Sequence, residues 1–371
     1  MTSNQTICSR CVMDTSDKYI SFDSKGHCNH CNQFYLEKEP LVYKDGQSNE
    51  ELHKLVKKIK QQGRNNKYDC LIGMSGGVDS AYVAYLVNDL GLRPLAIHMD
   101  NGWNAIEATA NIRAVCESLN IDYQSHVLNW KTFKDIQLSL LKSSIVEVEL
   151  ATDIAIQGVL HQAAIKHNIK FMIGGGNYAT EGILPDSWFY DPRDKKLLKS
   201  IHKKFGTTPF GDFPTFGFFR EIYCKFFKGI KTIYILNYFP YSRDNALKLL
   251  AEKLGYQDYG GKHHESTYTK FVQSYYQPVK FNLDYRRATF SSAICNNDMT
   301  REEALMELSK LPYDPDTLDA SKEYVAKKFD LTLEEFEAIT NQEPKSYKDY
   351  PNNEKFLTFV YKIYWHFFKK F

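Results

Sequence analysis

A short apolar run, "YDCLIG" from Tyr68 to Gly73, breaks into Met74-Ser75-Gly76-Gly77-Val78-Asp79-Ser80, and a second apolar run follows at once. Two adjacent glycines let a backbone close on phosphate oxygens with no Cβ in the way. Ser75 and Ser80 add hydroxyl donors, and a helix starting near Ser80 would aim its unpaired N–H groups at the same anion. Asp79 repels phosphate, so its sensible partner is a Mg²⁺ ion bridging phosphate oxygens. The loop is not of the Walker A kind, because no Gly-Lys-Ser/Thr follows. The rival reading is a bare glycine turn between strand and helix.

A second constellation lies near the N-terminus. Cys8, Cys11, Cys28 and Cys31 form two C-x2-C pairs with sixteen residues between them. Each pair presents two thiolates to one ion, and two pairs complete a tetrahedron around Zn²⁺. Such a site is closed, so its role is structural or for docking. A disulfide pair and an iron–sulfur cluster are the alternatives. His27 and His30 sit beside the ligands but are not needed as a fifth. Cys70, Cys116, Cys224 and Cys295 are scattered singly and read as small buried hydrophobes.

The elements around the glycine loop alternate. "CLIGM" predicts a strand, Ser80 to Leu90 a helix, "PLAIHM" a strand, "AIEATANIRAVCESL" a helix, and "YQSHVL" a third strand. Helices follow near 131–142 and 151–167, then a fourth strand in "IKFMIGG". This order predicts a doubly wound α/β fold, a parallel sheet covered on both faces. Ligands of such sheets bind at the carboxyl ends of the strands, where the loops 74–80, 98–103 and 174–182 would meet. Residues 1–35 are expected to form the metal knuckle, 36–66 a helical linker, 67–187 the α/β domain, and 188–371 a mainly helical, aromatic-rich region. Within the last, helices are predicted near 244–255, 300–311 and 330–339, and over the basic aromatic end "EKFLTFVYKIYWHFFKKF". The stretch 188–240 would form a substrate pocket, a partner-docking face, a membrane-surface contact or plain core.

A net charge of +2 argues against a strongly electrostatic nucleic-acid binder. No apolar stretch reaches the roughly 20 residues that span a bilayer, and the N-terminus lacks signal-peptide design, so cytoplasm is the expected location. Aromatic residues, at 14%, are in excess and need a home.

Ser75–Ser80 resembles the PP-loop signature of the N-type ATP pyrophosphatases, enzymes that cleave ATP to AMP and pyrophosphate. The resemblance implies the adenine nucleotide alpha hydrolase-like sheet, ATP and Mg²⁺. It also implies an adenine site at the end of "LAIHMDNGW", with His98, Met99 and Asp100 beside the loop residues Met74, Ser75, Gly76, Gly77, Asp79 and Ser80. His98 also reads as a core residue, and Asp100 as a polar strand end. "CSRCVMDTSDKYISFDSKGHCNHC", "MIGGGNYATEG", "GGKHHESTYTKFVQSYYQP" and "RRATFSSAI" resemble the bacterial N-acetyl sugar amidotransferases of the WbpG/PseA type, over about residues 7–315. That family implies conversion of an acetamido group of a surface-glycan sugar to acetamidino. Ammonia would come from a separate class I glutaminase subunit similar to that of imidazole glycerol phosphate synthase. No second glutaminase domain fits the remaining length, and residue 2 is Thr, not the Cys of a glutamine-using asparagine synthetase.

Within that frame Gly174, Gly175 and Asn177 would approach the α-phosphate, and Glu181 would hold Mg²⁺ or take a proton. Lys262 would stabilise the pentacovalent phosphorus, while Arg286, Arg287 and His263 would bind the sugar substrate or its phosphates. The rival readings are a glycine-rich loop without ligand for Glu181, a solvated lysine for Lys262 and a salt-bridged helix end for the arginines. A tRNA thiolase of the same superfamily is the alternative function, although the scattered cysteines show no further C-x2-C pair. A non-catalytic partner-binding protein is a third.

Overall fold

A computed structural model describes residues 6–41, 45–260 and 264–368. Five strands, β1 (Cys70–Gly73), β2 (Pro94–Asp100), β3 (Asp122–Val127), β4 (Phe171–Gly174) and β5 (Lys231–Tyr234), form one parallel sheet in the order β3-β2-β1-β4-β5. Helices α1 (Asn29–Leu41) and α2 (Asp45–Gly63) precede it. α3 (Val78–Asp89) follows β1, α4 (Ile106–Ser118) follows β2, and α5 (Trp130–Lys142) and α6 (Leu150–Lys166) connect β3 to β4. The doubly wound α/β sheet expected from the alternation is the architecture observed.

Side-chain alternation explains the two layers. Cys70 and Ile72 of β1 join Ala96, Phe171 and Ile173 in a core shared with α2, α3 and α4. Leu71 points the other way, with Leu95, Ile97 and Met172, against Val159 and Ala164 of α6. A strand buried on both faces must be apolar at successive positions, which is why "CLIG" carries no polar interruption. Each Leu or Ile buried this way contributes about 1.5–3 kcal/mol. β3 is exposed along its length and reads Asp-Tyr-Gln-Ser-His-Val, a polar edge that discourages further pairing. β5, the opposite edge, comes from inside the aromatic stretch where helix was expected. Its four residues are mostly exposed and leave little period-2 signal.

The chain runs outward from β1 through β2 to β3, then returns to the other side of β1 for β4 and β5. The loops after β1 and β4 therefore flank the point where the winding reverses, the usual crevice of such sheets. Past Tyr241 the chain is mainly helical, from Arg243–Leu254 to Glu354–Phe368. Much of the aromatic excess is housed here: Tyr268, Phe271, Tyr276, Phe329 and Phe336 bury against Trp103 and α5. The buried Trp103 indole donates to Gln137 Oε1 at 2.5 Å, as a buried N–H requires. Among the described residues no helix is long and apolar enough to cross a membrane.

Candidate functional site

At the carboxyl ends of β1, β2 and β4 lies a cavity of about 600 Å³, a size that suits a nucleotide-scale ligand. Its phosphate-sized end is the loop after β1. Gly76 adopts φ +88°, and a Cβ there would sit 2.5 Å from the Ala108 carbonyl oxygen, so only glycine fits. Tyr256 donates to the Gly76 carbonyl at 2.8 Å. Ser75 Oγ accepts from Gly77 N at 3.1 Å, and Ser80 Oγ donates to the Gly77 carbonyl at 2.9 Å. These contacts hold the turn in a loop geometry before any ligand arrives. Gly77 begins α3 without a side-chain cap, leaving the first-turn N–H groups to a ligand. Gly77, Val78, Asp79 and Ser80 all line the cavity, with Met74 and Ser75. Gly76 is not on its wall; it shapes the turn.

Asp79 accepts a hydrogen bond from Tyr241. Burial, then the neighbouring carboxylates of Asp79 and Glu181, push the Tyr241 hydroxyl well above its ordinary pKa, so it remains a donor. Asp79 and Glu181 both line the cavity. Two carboxylates on one polar wall fit Mg²⁺, which takes one or two and keeps its waters. The β4 loop closes against this corner: a Cβ on Gly175 would lie 3.1 Å from Asp79 Cβ. Gly174 and Gly175 line the cavity, as does the otherwise unremarked Arg243. Arg243 also donates to the Gly260 carbonyl at 3.0 Å.

Several expected residues serve the framework instead. His98 Nδ1 lies 2.8 Å from the Met74 carbonyl and Nε2 3.0 Å from Asn104 Nδ2, an arrangement suited to a neutral ring protonated on Nδ1. It latches the end of β2 to the loop while reaching the cavity beside Met99. Asp100 accepts from Gly102 N at 2.8 Å and Asn104 Nδ2 at 2.9 Å, and is not on the cavity wall. Asn177 is a helix cap rather than a phosphate ligand: its Oδ1 accepts from Thr180 N at 2.9 Å and its Nδ2 donates to the Gly175 carbonyl at 3.2 Å. Lys262 and His263 lie outside the described residues.

Arg286 and Arg287 require correction. Arg286 pairs with Asp284 at 2.7 Å and donates to the Glu307 and Lys310 carbonyls. Arg287 pairs with Asp14 at 3.0 Å and donates to the Val12 carbonyl. Neither lines the cavity. Protein partners take the donors that a phosphate would need, and the salt-bridged helix end is what the structure contains.

The cavity lining also carries groups that the sequence reading missed. Glu147, Glu149 and Asp153, at the start of α6, line the cavity with Gln277. Burial pushes the carboxyls up to about 7 for Glu147 and about 8 for Glu149. Asp153 is exposed to the cavity, so solvent there screens its carboxyl. Thr269 donates to Glu149 Oε1 at 2.5 Å. Gln277 is buried, donates to the Val146 carbonyl at 3.2 Å, and its Oε1 has no partner among the described residues. In the folded state Glu147 and Glu149 keep protons that an unfolded chain has already released. The stabilising contribution of Glu147 and Glu149 is therefore full below the unfolded value of 4.5 and is lost as pH rises from there through about 7 and about 8. The melting temperature should fall over that window in ligand-free protein, and Glu149→Gln should flatten the fall. Thermal melts across a pH series check this; a profile unchanged by the substitution would contradict it.

The knuckle is assembled as its spacing predicts. The four sulfurs lie within 4.8 Å of one another, with Cys8–Cys31 at 3.8 Å and Cys11–Cys28 at 3.5 Å. Tetrahedral Zn²⁺ with bonds of about 2.3 Å places its sulfurs about 3.8 Å apart, whereas a disulfide needs about 2.05 Å. Backbone N–H groups of Cys28 and Arg10 approach Cys8 Sγ at 3.1 and 3.4 Å, as thiolates favour. The four cysteines can thus hold zinc. His30 bonds Asp17 at 2.6 Å and is not a fifth ligand. The module is clamped from the far end of the chain. Arg301 donates to the Cys8 and Cys11 carbonyls, and Ser291 Oγ accepts from Val12 N at 3.2 Å.

Residues 49–173 match the family model described as NAD synthase. Residues 265–370 match the model described as LPS biosynthesis protein WbpG-like, C-terminal domain. No curated protein matches the chain. Among solved structures, the NH3-dependent NAD synthetase from Campylobacter jejuni in complex with nitrate is similar at 16% identity and TM-score 0.31, over 79% of this chain and 96% of that one. NMN synthetase from Francisella tularensis is similar at 17% identity and TM-score 0.30, over 59% of this chain and 100% of that one. NAD+ synthetase from Burkholderia pseudomallei gives 14% and 0.30, over 60% and 95%. Structural likenesses this distant bear on neither reaction nor substrate.

Proposed function

For a chain that joins an NAD-synthase-type domain of the PP-loop superfamily to a WbpG-like C-terminal domain, we propose an ATP-dependent amidotransferase of lipopolysaccharide or related surface-glycan synthesis. It would convert an acetamido group of an N-acetylated sugar or sugar nucleotide to acetamidino. The carrying observation is one cavity lined both by a glycine-rich, donor-bearing loop and by protonatable carboxyls.

An amide carbon is a poor electrophile because its nitrogen donates into the carbonyl. In the proposed reaction the amide oxygen attacks the α-phosphorus of ATP, and pyrophosphate leaves. The resulting imidoyl adenylate carries AMP as leaving group; ammonia adds to its carbon, and AMP departs to give the amidine. The N–H groups of Gly77 and the first turn of α3, with Ser75 and Ser80, would hold the departing diphosphate. Asp79 and Glu181 would hold Mg²⁺, which neutralises phosphate charge. Glu149, able to exchange a proton near neutral pH, would take one from ammonium or from the added nitrogen at its Oε2 or Oε1. The cysteine site stands apart from the cavity and would be structural.

Ammonia would come from solution or from a separate glutaminase subunit. Incubating the chain with ATP, Mg²⁺, ammonium and a panel of UDP- and CMP-linked N-acetyl sugars tests the reading. The expected outcome is AMP formed in step with a sugar lighter by the difference between O and NH. AMP formed with a sulfur-modified tRNA would favour a thiolase instead, and no AMP with any acceptor would favour a non-catalytic protein.

A further inference from the structure

The aromatic stretch divides in a way that the cavity chemistry leaves unused. Trp188, Phe189 and Tyr190 line the cavity, and Phe213 and Phe216 are buried. The residues after them are not. Phe219 and Phe227 are 76% and 77% exposed, and Tyr223 and Phe226 are also exposed. Phe219, Tyr223 and Phe227 recur four residues apart on the helical segment 218–227 and so share a side. The last helix adds Phe356, whose ring lies 6.0 Å from that of Phe219, and Phe359 one turn on, both exposed. One apolar face therefore spans two elements distant in sequence.

Its charge is one-sided. Arg220, Lys225 and Lys228 interleave with the rings, and Lys228 Nζ sits 5.5 Å over the Tyr223 ring. Lys355 and Lys362 flank the second element. The acids nearby are already engaged: Glu221 with Arg193 at 3.2 Å, and Glu354 with Lys348 at 3.1 Å. Phenylalanines this exposed would otherwise be a liability in water.

We propose that this face, residues 218–228 with 354–362, docks the protein on an anionic phospholipid surface. Phenylalanines entering the headgroup–acyl boundary, with lysines reaching lipid phosphates on their long stems, are the composition of peripheral membrane faces. Lysine is instead depleted from the centres of protein–protein interfaces. The contact would be peripheral, because none of the described helices can span a bilayer. β5 follows the first segment directly and carries Thr232 and Tyr234 to the cavity, so docking would place the site near the lipid surface. The proposal does not depend on the reaction carried out in the cavity.

Flotation of the full chain with phosphatidylcholine vesicles, with and without phosphatidylglycerol, tests it. Partitioning should be about tenfold stronger or more with the anionic lipid and should weaken as salt rises. The paired substitutions Phe226→Ser with Phe227→Ser, and separately Lys225→Glu with Lys228→Glu, should each weaken it about tenfold. Melting temperature should not move, since the altered side chains are largely at the surface. No partitioning at low salt, or variants that partition like the parent, would overturn the proposal. So would an aromatic variant that changes oligomeric state in sedimentation but leaves vesicle binding intact.

Discussion

Asp79→Asn lowers ATP-dependent turnover about 10²–10³-fold while leaving the fold intact. The amide oxygen still accepts from Tyr241, so the contact that ties α3 to the segment before Arg243 survives. The charge does not. Asp79 lies in the first turn of α3, among N–H groups that favour phosphate, and a bare carboxylate there opposes the anion. Nucleotide affinity should therefore cross over. Without Mg²⁺ the variant should bind ATP more tightly than the parent, and with Mg²⁺ more weakly. Calorimetric titration in the presence and absence of Mg²⁺ reads both signs. Weakening in both conditions would mean that the carboxylate only supports the turn.

Cys28→Ser should be the most destabilising single change outside the sheet, at about 4–5 kcal/mol. It opens a buried four-sulfur site and releases the backbone carbonyls of Cys8 and Cys11 that Arg301 holds. The loss should travel. The helix Arg286–Asn296 contacts the knuckle through Arg287 and Ser291 and, by Ser292 Oγ, accepts from Ile183 N at 2.9 Å in the loop after β4. Metal analysis should find one zinc per parent chain and almost none in the variant. Amide exchange should rise around 177–183 as well as in the knuckle. Unchanged zinc content, or exchange confined to the first forty residues, would contradict this coupling.

What the sequence disclosed was local. The loop at 74–80 is legible because glycines, hydroxyls and an acid sit within seven residues between two apolar runs. The cysteine pairs are legible because ligand spacing is set by one metal. β1, β2 and β4 show because both their faces are buried, whereas the polar, exposed β3 shows only through its place in the strand–helix alternation. β5 hides because it is a short edge, and its exposed residues carry no period. Arg286 and Arg287 misled because a guanidinium pair reads the same whether its partner is phosphate, an aspartate two residues away or an aspartate near the other end of the chain. Glu147, Glu149 and Asp153 were overlooked for the converse reason. Acids at a helix start are ordinary, and only burial by distant parts of the chain makes Glu147 and Glu149 unusual. Arg243 reaches the cavity from a helix start far along the chain, which no local pattern announces.

The decisive measurement is a crystal structure with the non-cleavable analogue α,β-methylene-ATP and Mg²⁺. The β- and γ-phosphates should lie within about 3 Å of the Gly77 and α3 N–H groups and the Ser75 and Ser80 hydroxyls, with adenine near the end of β2. Phosphates seated anywhere else, the Arg286–Arg287 pair included, would contradict the assignment of this turn.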